Sequence, residues 1–319
     1  MVIAPLRDWI EMQPSPAIPY KYRAYGCNFV SDVPLLMLNK GSDVNLDTIT
    51  IRRCNELPPR PERARQIGPL AWAGADYLSL DVDRIVRLVA QDAKTLLYQP
   101  YDGIDDQSVQ LFLMTSGLGA VLMQRGLLVM RGTAVERDGS CVMCIGQSGV
   151  GKSTVAAGLM QRGFRVISDD ICGINDRGQI IPGGPSVKIW QDAADVLGIA
   201  TDSLTRLRPH MEKFDVPLGG SFCDETVSVR TIYLLSEHQS GTISCDVLTG
   251  HDKFVALRDN TYQLPFMAGM DLGALHFKHV TALSQGIVVK HIKRPMDGFD
   301  LDHLIDTLIK DLNQQSARS

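Results

Sequence analysis

The sequence predicts an α/β protein: a small, mainly β module at the amino-terminal end, followed by a larger domain with a partly parallel sheet and a glycine-rich loop at its carboxyl edge. Three observations carry that prediction. Short runs of alternating apolar residues fill most of positions 22–100. A glycine-rich octapeptide at 146–153 joins an apolar stretch with strand character to a stretch with helical periodicity. A second short apolar stretch follows that helix and ends on two adjacent aspartates.

Composition sets the outer bounds. A chain of 319 residues with 45% hydrophobic and 21% charged positions is that of an ordinary globular protein, which excludes disorder and collagen-like repeats. It has room for one large or two moderate domains. Its net charge of −4 removes the broad attraction to phosphate backbones that nucleic-acid binders carry, so no nucleic-acid partner is expected. Seven scattered cysteines, an odd number, form no disulfide framework and read as reduced thiols of a cytoplasmic protein. Residues 1–20 lack a basic cluster and an apolar run, so no signal peptide is expected. The apolar stretch 111–130 is interrupted by Gln124 and Arg125, so no membrane span is expected either.

Along the chain, residues 48–52, 77–82 and 85–89 alternate as strands do, with the proline-rich segment 58–61 between the first two. They predict a mainly antiparallel module over 1–103, and the remaining residues, 104–319, form the second domain. Residues 106–125 place apolar side chains at 109, 111, 112, 113, 118, 121, 122 and 123, a helical distribution. Strands follow at 127–135 and 141–145, joined by the turn signal Asp138-Gly139. A helix over 152–162 ends at Gly163, and a strand over 165–168 leads to Asp169 and Asp170. Further strands are expected at 188–190, 227–235, 242–248 and 288–292, and further helices at 190–197, 271–283 and 300–312. Residues 313–319 are a polar tail.

The octapeptide Gly146-Gln147-Ser148-Gly149-Val150-Gly151-Lys152-Ser153 satisfies the phosphate-binding pattern G-x-x-x-x-G-K-[ST], placed between strand and helix as that loop requires. Its glycines let successive amides turn inward toward an anion, and the helix that follows adds its positive end. Lys152 would reach the β- and γ-phosphates of a nucleotide, and the Ser153 hydroxyl would ligate Mg²⁺. Asp169 and Asp170, at the end of the next strand, would lie beside those phosphates if the strand runs parallel to the loop's own. One carboxylate would serve Mg²⁺ and the other would take a proton from an attacking hydroxyl. A transferring phosphoryl group also calls for a further cation. Candidates are Lys213 and Arg208, in the polar stretch that contains Arg206 and His210 and reads as a loop, then Arg258 and Arg294. Arg230, at the start of a predicted strand, reads as structural. His276 and His279 share a helix face but lack the carboxylates of a metal site, and Cys141 and Cys144 lie within an apolar strand.

The run from the loop through a helix ending in Arg162-Gly163 to Val166-Ile-Ser-Asp169-Asp170 resembles the catalytic domain of the HPr kinase/phosphorylase family and its related serine kinases. The resemblance is specific over about residues 127–175. The segment 22–38, with Ser31-Asp-Val-Pro34, resembles instead the kinases that act on lasso-peptide precursors. The resemblance implies a mixed sheet like that of HPr kinase and phosphoenolpyruvate carboxykinase, ATP and Mg²⁺ as ligands, and a tendency to form homo-oligomers. It implies Asp169 as the general base, Asp170 with Ser153 on Mg²⁺, and Lys152 with the amides of 149–153 on the phosphates, so that Gly146 to Thr154 form the nucleotide cradle. The chain departs from the family at Arg131, where the family has histidine, and at Thr154, where true HPr kinases have glutamate. It departs again at 182–190, where an arginine-glycine segment is replaced. The expected activity is transfer of a γ-phosphoryl group to a serine of a peptide or protein. A small-molecule kinase of the shikimate or gluconate type and a nucleotide-binding regulator are the alternatives. The amino-terminal module either docks the acceptor or covers a sheet edge.

Overall fold

The computed structural model describes residues 20–35, 37–296 and 300–316. The expectations for residues 1–19, for Leu36 and for the last three residues of the tail lie outside the described residues. The chain forms two compact units. The first takes the residues up to 127 together with 207–209 and 263–276, and the second takes 128–206, 210–262 and 277–319. The units thus divide at 127/128, and the helical stretch after residue 103 groups with the β module.

In the first unit β1 (Tyr20–Ala24), β2 (Cys27–Ser31), β3 (Asn39–Lys40), β4 (Thr48–Arg53), β5 (Arg65–Gly68), β6 (Ala71–Gly74), β7 (Tyr77–Val82), β8 (Val86–Gln91) and β9 (Thr95–Pro100) form one sheet. Their order is β3-β1-β2-β4-β9-β8-β7-β6-β5. Pairing is mainly antiparallel, with β4 parallel to both β2 and β9. Helices α1 (Asp106–Phe112) and α2 (Leu118–Gln124) are joined by a π-helical turn over Leu113–Gly117. Asp105 caps α1 by accepting the Ser108 amide at 2.7 Å. The π turn shifts the helical phase, so that Val109 and Leu113 bury with Leu118, Val121 and Leu122, whereas Leu111 and Phe112 are only half-buried.

The second unit holds a seven-stranded mixed sheet of β10 (Leu128–Arg137), β11 (Ser140–Gly146), β12 (Arg165–Ile174), β13 (Gln179–Ile181), β17 (Val227–His238), β18 (Ser244–Leu248) and β19 (Val288–Pro295). Its order is β11-β10-β12-β13-β17-β19-β18, and β11 also pairs in parallel with β17, closing five strands into a hydrogen-bonded circuit. Strand β11 is apolar throughout because both faces are covered: Val142 and Cys144 enter one core cluster, and Cys141, Met143 and Ile145 the other. Helices α3 (Lys152–Gln161) and α7 (Leu301–Ser316) pack on the first cluster. Leu301, Leu304, Ile305 and Leu308 form the buried stripe of α7, and Gly158 of α3 lets Ile305 approach to 3.1 Å of where a Cβ would stand. Helices α5 (Gly250–Asp259) and α6 (Gly273–Gly286) contribute Leu257 and Val280 to the second cluster. A three-stranded sheet of β14 (Ser186–Trp190), β15 (Thr205–Arg206) and β16 (Lys213–Pro217) completes the unit, with α4 (Gln191–Val196) after β14. No helix among the described residues is long and apolar enough to cross a membrane.

Two expectations change here. The strand carrying the aspartates does not stop at Ser168: β12 continues to Ile174, so Asp169 and Asp170 are mid-strand. It is also not the neighbour of β11, because β10 lies between them and pairs antiparallel with both. The stretch 206–213 is likewise not one loop. Arg206 lies in β15 and Lys213 opens β16, because Phe214 and Val216 alternate inward where the neighbouring charges and Pro209 mask the pattern.

Candidate active site

Strand β11 ends at Gly146, where φ is +143° and a Cβ would stand 2.5 Å from the Leu235 carbonyl oxygen. Only glycine fits there. Gly149 and Gly151 also take positive φ, and Gly151, in the left-handed region, precedes α3 with no side chain capping the helix. The first amides of α3 therefore point outward without a side-chain acceptor, while Gln147, Ser148 and Gly149 are exposed and Val150 anchors the loop in the core. Lys152 Nζ folds back over the loop, donating to Gly146 O at 3.0 Å and Gln147 O at 2.6 Å. Burial lowers the Lys152 pKa, the Arg131 charge lowers it further, and Asp170 and Asp169 act against that, with Lys213 again lowering it. The loop lysine thus lies within electrostatic reach of both aspartates, Arg131 and Lys213. Thr154 follows in the first turn of α3.

Asp169 is 5% exposed. Its Oδ1 accepts the Thr133 hydroxyl at 2.5 Å and the Ser153 hydroxyl at 2.9 Å, and its Oδ2 accepts the Lys188 amide at 2.8 Å. Four elements meet at this carboxyl group: β12 supplies it, β10 places Thr133 directly opposite in register, α3 brings Ser153, and β14 brings Lys188. A buried carboxylate requires such donors, and one acceptor position of Oδ2 is left over. Asp170 is half-buried and its φ is +70°, an unusual backbone for a non-glycine residue inside a strand. Opposite it stands Gly132, where a Cβ would meet Cys144 O at 2.6 Å.

Beside Asp169 lies a pair that sequence reasoning did not single out. Lys188, 7% exposed, is the register partner of Asp215 on β16. Burial pushes the Asp215 carboxyl above its ordinary range, Ser186 and Lys188 oppose this, and Asp169 adds to it. Asp215 Oδ1 is buried with no hydrogen-bond partner. The signal available was the pair Ser186-x-Lys188, whose inward positions become visible only once β14 is known to lie against β12.

The candidate cations separate. Lys213 stays within electrostatic reach of Lys152, its ammonium 5.7 Å from the Trp190 ring centre. Arg258 lies in the last turn of α5 and pairs with Asp259 at 2.7 Å. Asp259 and Asn260 line a cavity of about 770 Å³ against Gln147, Ser148 and His291. Arg294 on β19 donates to the Val150 carbonyl at 3.3 Å and pairs with Glu237, so it braces the loop. Arg208 belongs to the first unit, where its Nε donates to Ser108 Oγ at 3.1 Å. Arg131 places its charge on Lys152, and its amide donates to Asn260 O at 2.9 Å.

The donor set suits a nucleotide with a hard cation: an uncapped helix start, a lysine, a serine hydroxyl and two carboxylates on one patch. Ser153 and Asp170 would hold Mg²⁺, and the amides of 146–154 with Lys152 would hold phosphates.

Residues 127–202 match the family described as HPr Serine kinase C-terminal domain. The HPr kinase/phosphorylase of Clostridium beijerinckii is 26% identical over 167 residues, 46% of this chain and 55% of that protein. The HPr kinase/phosphorylase of Lactobacillus acidophilus is 37% identical over 87 residues, 27% of this chain and 26% of that one. The chain therefore spans about half or less of the length of these relatives. A solved structure, the Hpr(Ser) kinase/phosphatase from Coxiella burnetii, aligns at 14% identity and a TM-score of 0.28, covering 59% of this chain and 98% of that one. The matched segment contains the loop, both aspartates and β14, and the chain is HPr-kinase-like.

Proposed function

We propose that this HPr-kinase-like chain is an ATP-dependent serine kinase that acts on a peptide or protein in the cytoplasm, with a lasso-type precursor peptide as the acceptor. One observation carries the reading. Asp169 is held by three hydrogen bonds, one of them from Ser153 of the phosphate-binding loop, and keeps an acceptor position on Oδ2. A carboxylate so fixed beside a phosphate cradle is suited to take a proton from an attacking hydroxyl, which nucleotide binding alone does not need.

In this reading the acceptor serine gives its proton to Asp169 Oδ2 while its oxygen forms a bond to the γ-phosphorus. The bond between that phosphorus and the β,γ-bridging oxygen breaks, and ADP leaves. Thr133 and the Lys188 amide orient Asp169 throughout. Lys152 leaves the carbonyls of Gly146 and Gln147 to hold the β- and γ-phosphates, and Lys213 adds positive charge. Arg294 keeps the loop in place through Val150. Bound Mg²⁺ would supply charge neutralisation on the phosphates, with Ser153 and Asp170 as its protein ligands. The nucleoside would occupy the cavity next to Gln147 and Asn260, whose volume lies within the range of small-molecule sites. Lys188 and Asp215 back Asp169 from the side of β14 and β16. Arg258, next to Asp259 and Asn260 of the nucleoside cavity, is a further phosphoryl contact, the amino-terminal module the acceptor-docking element, and a homo-oligomer the working form.

Incubation with labelled ATP, Mg²⁺, a serine-peptide panel and a metabolite panel tests the reading. Phosphopeptide that disappears with Asp169→Asn, at unchanged nucleotide affinity, is expected. Label only in free phosphate, or only in a metabolite, would sink it.

A further inference from the structure

The far end of β12 leads to a different place. From Asp169 the strand runs five more residues to Ile174, about 16 Å at the usual rise of a strand. There it meets a cavity of about 310 Å³ in the same unit, lined by Asp176, Arg177, Arg230, His279 and Leu283 among others. Asn175 shapes its rim, its Oδ1 accepting the amides of Arg177 and Gln179, both at 3.0 Å. Arg177 comes from this turn, Arg230 from β17 and His279 from α6.

One buried polar group here lacks a partner, and two exposed arginines on the same cavity are free to take a ligand. Neither guanidinium has an ion-pair or hydrogen-bond partner among the described residues, although both line one cavity and Asp176 stands on the same wall. His279 is only 8% exposed, and its Nδ1 is buried with no partner. Buried polar atoms are seldom left this way, and those that are call for a ligand, a water or a functional role. Burial lowers the His279 pKa, with Lys278 adding to this and Asp176 opposing it, so the ring is neutral at neutral pH. A neutral imidazole Nδ1 is a donor in one tautomer and an acceptor in the other, and a hydroxyl satisfies either. Two arginines present planar donor forks matched to carboxylate or phosphate oxygens. Leu283 and Ile287 supply the apolar wall that a small carbon skeleton needs.

We propose that this cavity is a second binding site for a small molecule carrying an oxyanion, carboxylate or phosphate, next to a hydroxyl. Arg177 and Arg230 hold the oxyanion, and His279 Nδ1 pairs with the hydroxyl. The proposal is independent of the kinase reading, since it uses no group of the phosphate-binding loop.

The test is calorimetric titration of the full chain with glycerol 3-phosphate and with malate, succinate serving as the hydroxyl-free counterpart of malate. Lys152→Ala weakens anion capture by the loop. Saturable binding of at least one hydroxylated probe is expected in both wild type and Lys152→Ala. It should weaken by at least about tenfold in Arg177→Gln/Arg230→Gln, since even one charge-assisted hydrogen bond contributes more than a factor of ten. Both arginines are exposed, so this variant keeps the wild-type Tm. His279→Phe should remove the preference for malate over succinate. No saturable binding at millimolar concentration overturns the proposal, as does binding that vanishes with Lys152→Ala or survives the double arginine replacement.

Discussion

Between Gly146 and Ser153 the polypeptide makes its anion cradle from its own backbone, whereas Asp169 sits among donors drawn from β10, α3 and β14. The two meet at Ser153. The cradle depends on dihedral angles, with φ of +143°, +86° and +96° at its three glycines. The aspartate depends on strand order. One half of the site is therefore written in eight consecutive residues, and the other half exists only after distant segments have paired. Damage to the first should appear in ligand affinity, and damage to the second in the chemical step.

The sharpest way to separate the halves is Asp169→Asn. Peptide phosphorylation is expected to fall by about 10²–10⁴-fold, the usual contribution of a positioned base, with nucleotide affinity unchanged by calorimetry. Equal losses in both quantities would merge the halves. Gly146→Ala attacks the cradle instead. Its Cβ would collide with a backbone carbonyl at 2.5 Å in a backbone region that alanine avoids. Nucleotide affinity should drop by about 100-fold, close to 3 kcal/mol. Retention of wild-type affinity would mean that the loop tolerates another path.

A smaller effect is expected from Thr133→Val, which keeps shape and removes one donor from Asp169. Turnover should fall about tenfold, in line with the 1–3 kcal/mol cost of an unsatisfied buried acceptor, and Thr133→Ser should restore it. A change in nucleotide affinity without a change in turnover would assign Thr133 to the cradle. The smallest effect concerns pH. Because the free lysine's pKa lies below its ordinary 10.5 and an anion favours the ammonium, nucleotide binding should take up a proton in the window between the lowered value and the restored one. Affinity is then level near neutrality and falls as pH rises through that window. The buffer dependence of the binding enthalpy measures the uptake, and the same dependence in Lys152→Met would remove Lys152 as its source.

What could be read in advance follows the same division. The loop, its helix and the Asp169-Asp170 pair were legible because each is a local pattern of glycines, apolar residues and charges. Thr133 was not, since nothing in residues 127–135 tells that β10 lies between β11 and β12. Lys188 and Asp215 were hidden for the same reason. Arg208 looked equivalent to Lys213 as one of several basic residues in a polar stretch, yet the chain carries residues 207–209 into the other unit and keeps Lys213 with the loop. The second cavity offered a partial hint in His279, whose helical position was plain but whose missing partner is a property of packing.

Asp170 carries one further consequence. Adjacent residues of a regular strand face opposite sides, so two neighbouring acids cannot ordinarily serve one ligand. The left-handed backbone at Asp170 breaks that alternation, and both carboxylates come within electrostatic reach of Lys152. Such a conformation costs about 1–3 kcal/mol in a non-glycine residue, toward the lower end for aspartate. Asp170→Gly should therefore raise Tm while removing a carboxylate. Laboratory selection of this chain for heat resistance alone would drift toward glycine at position 170, and a thermostable library sequenced at that codon would record how strongly activity opposes the drift.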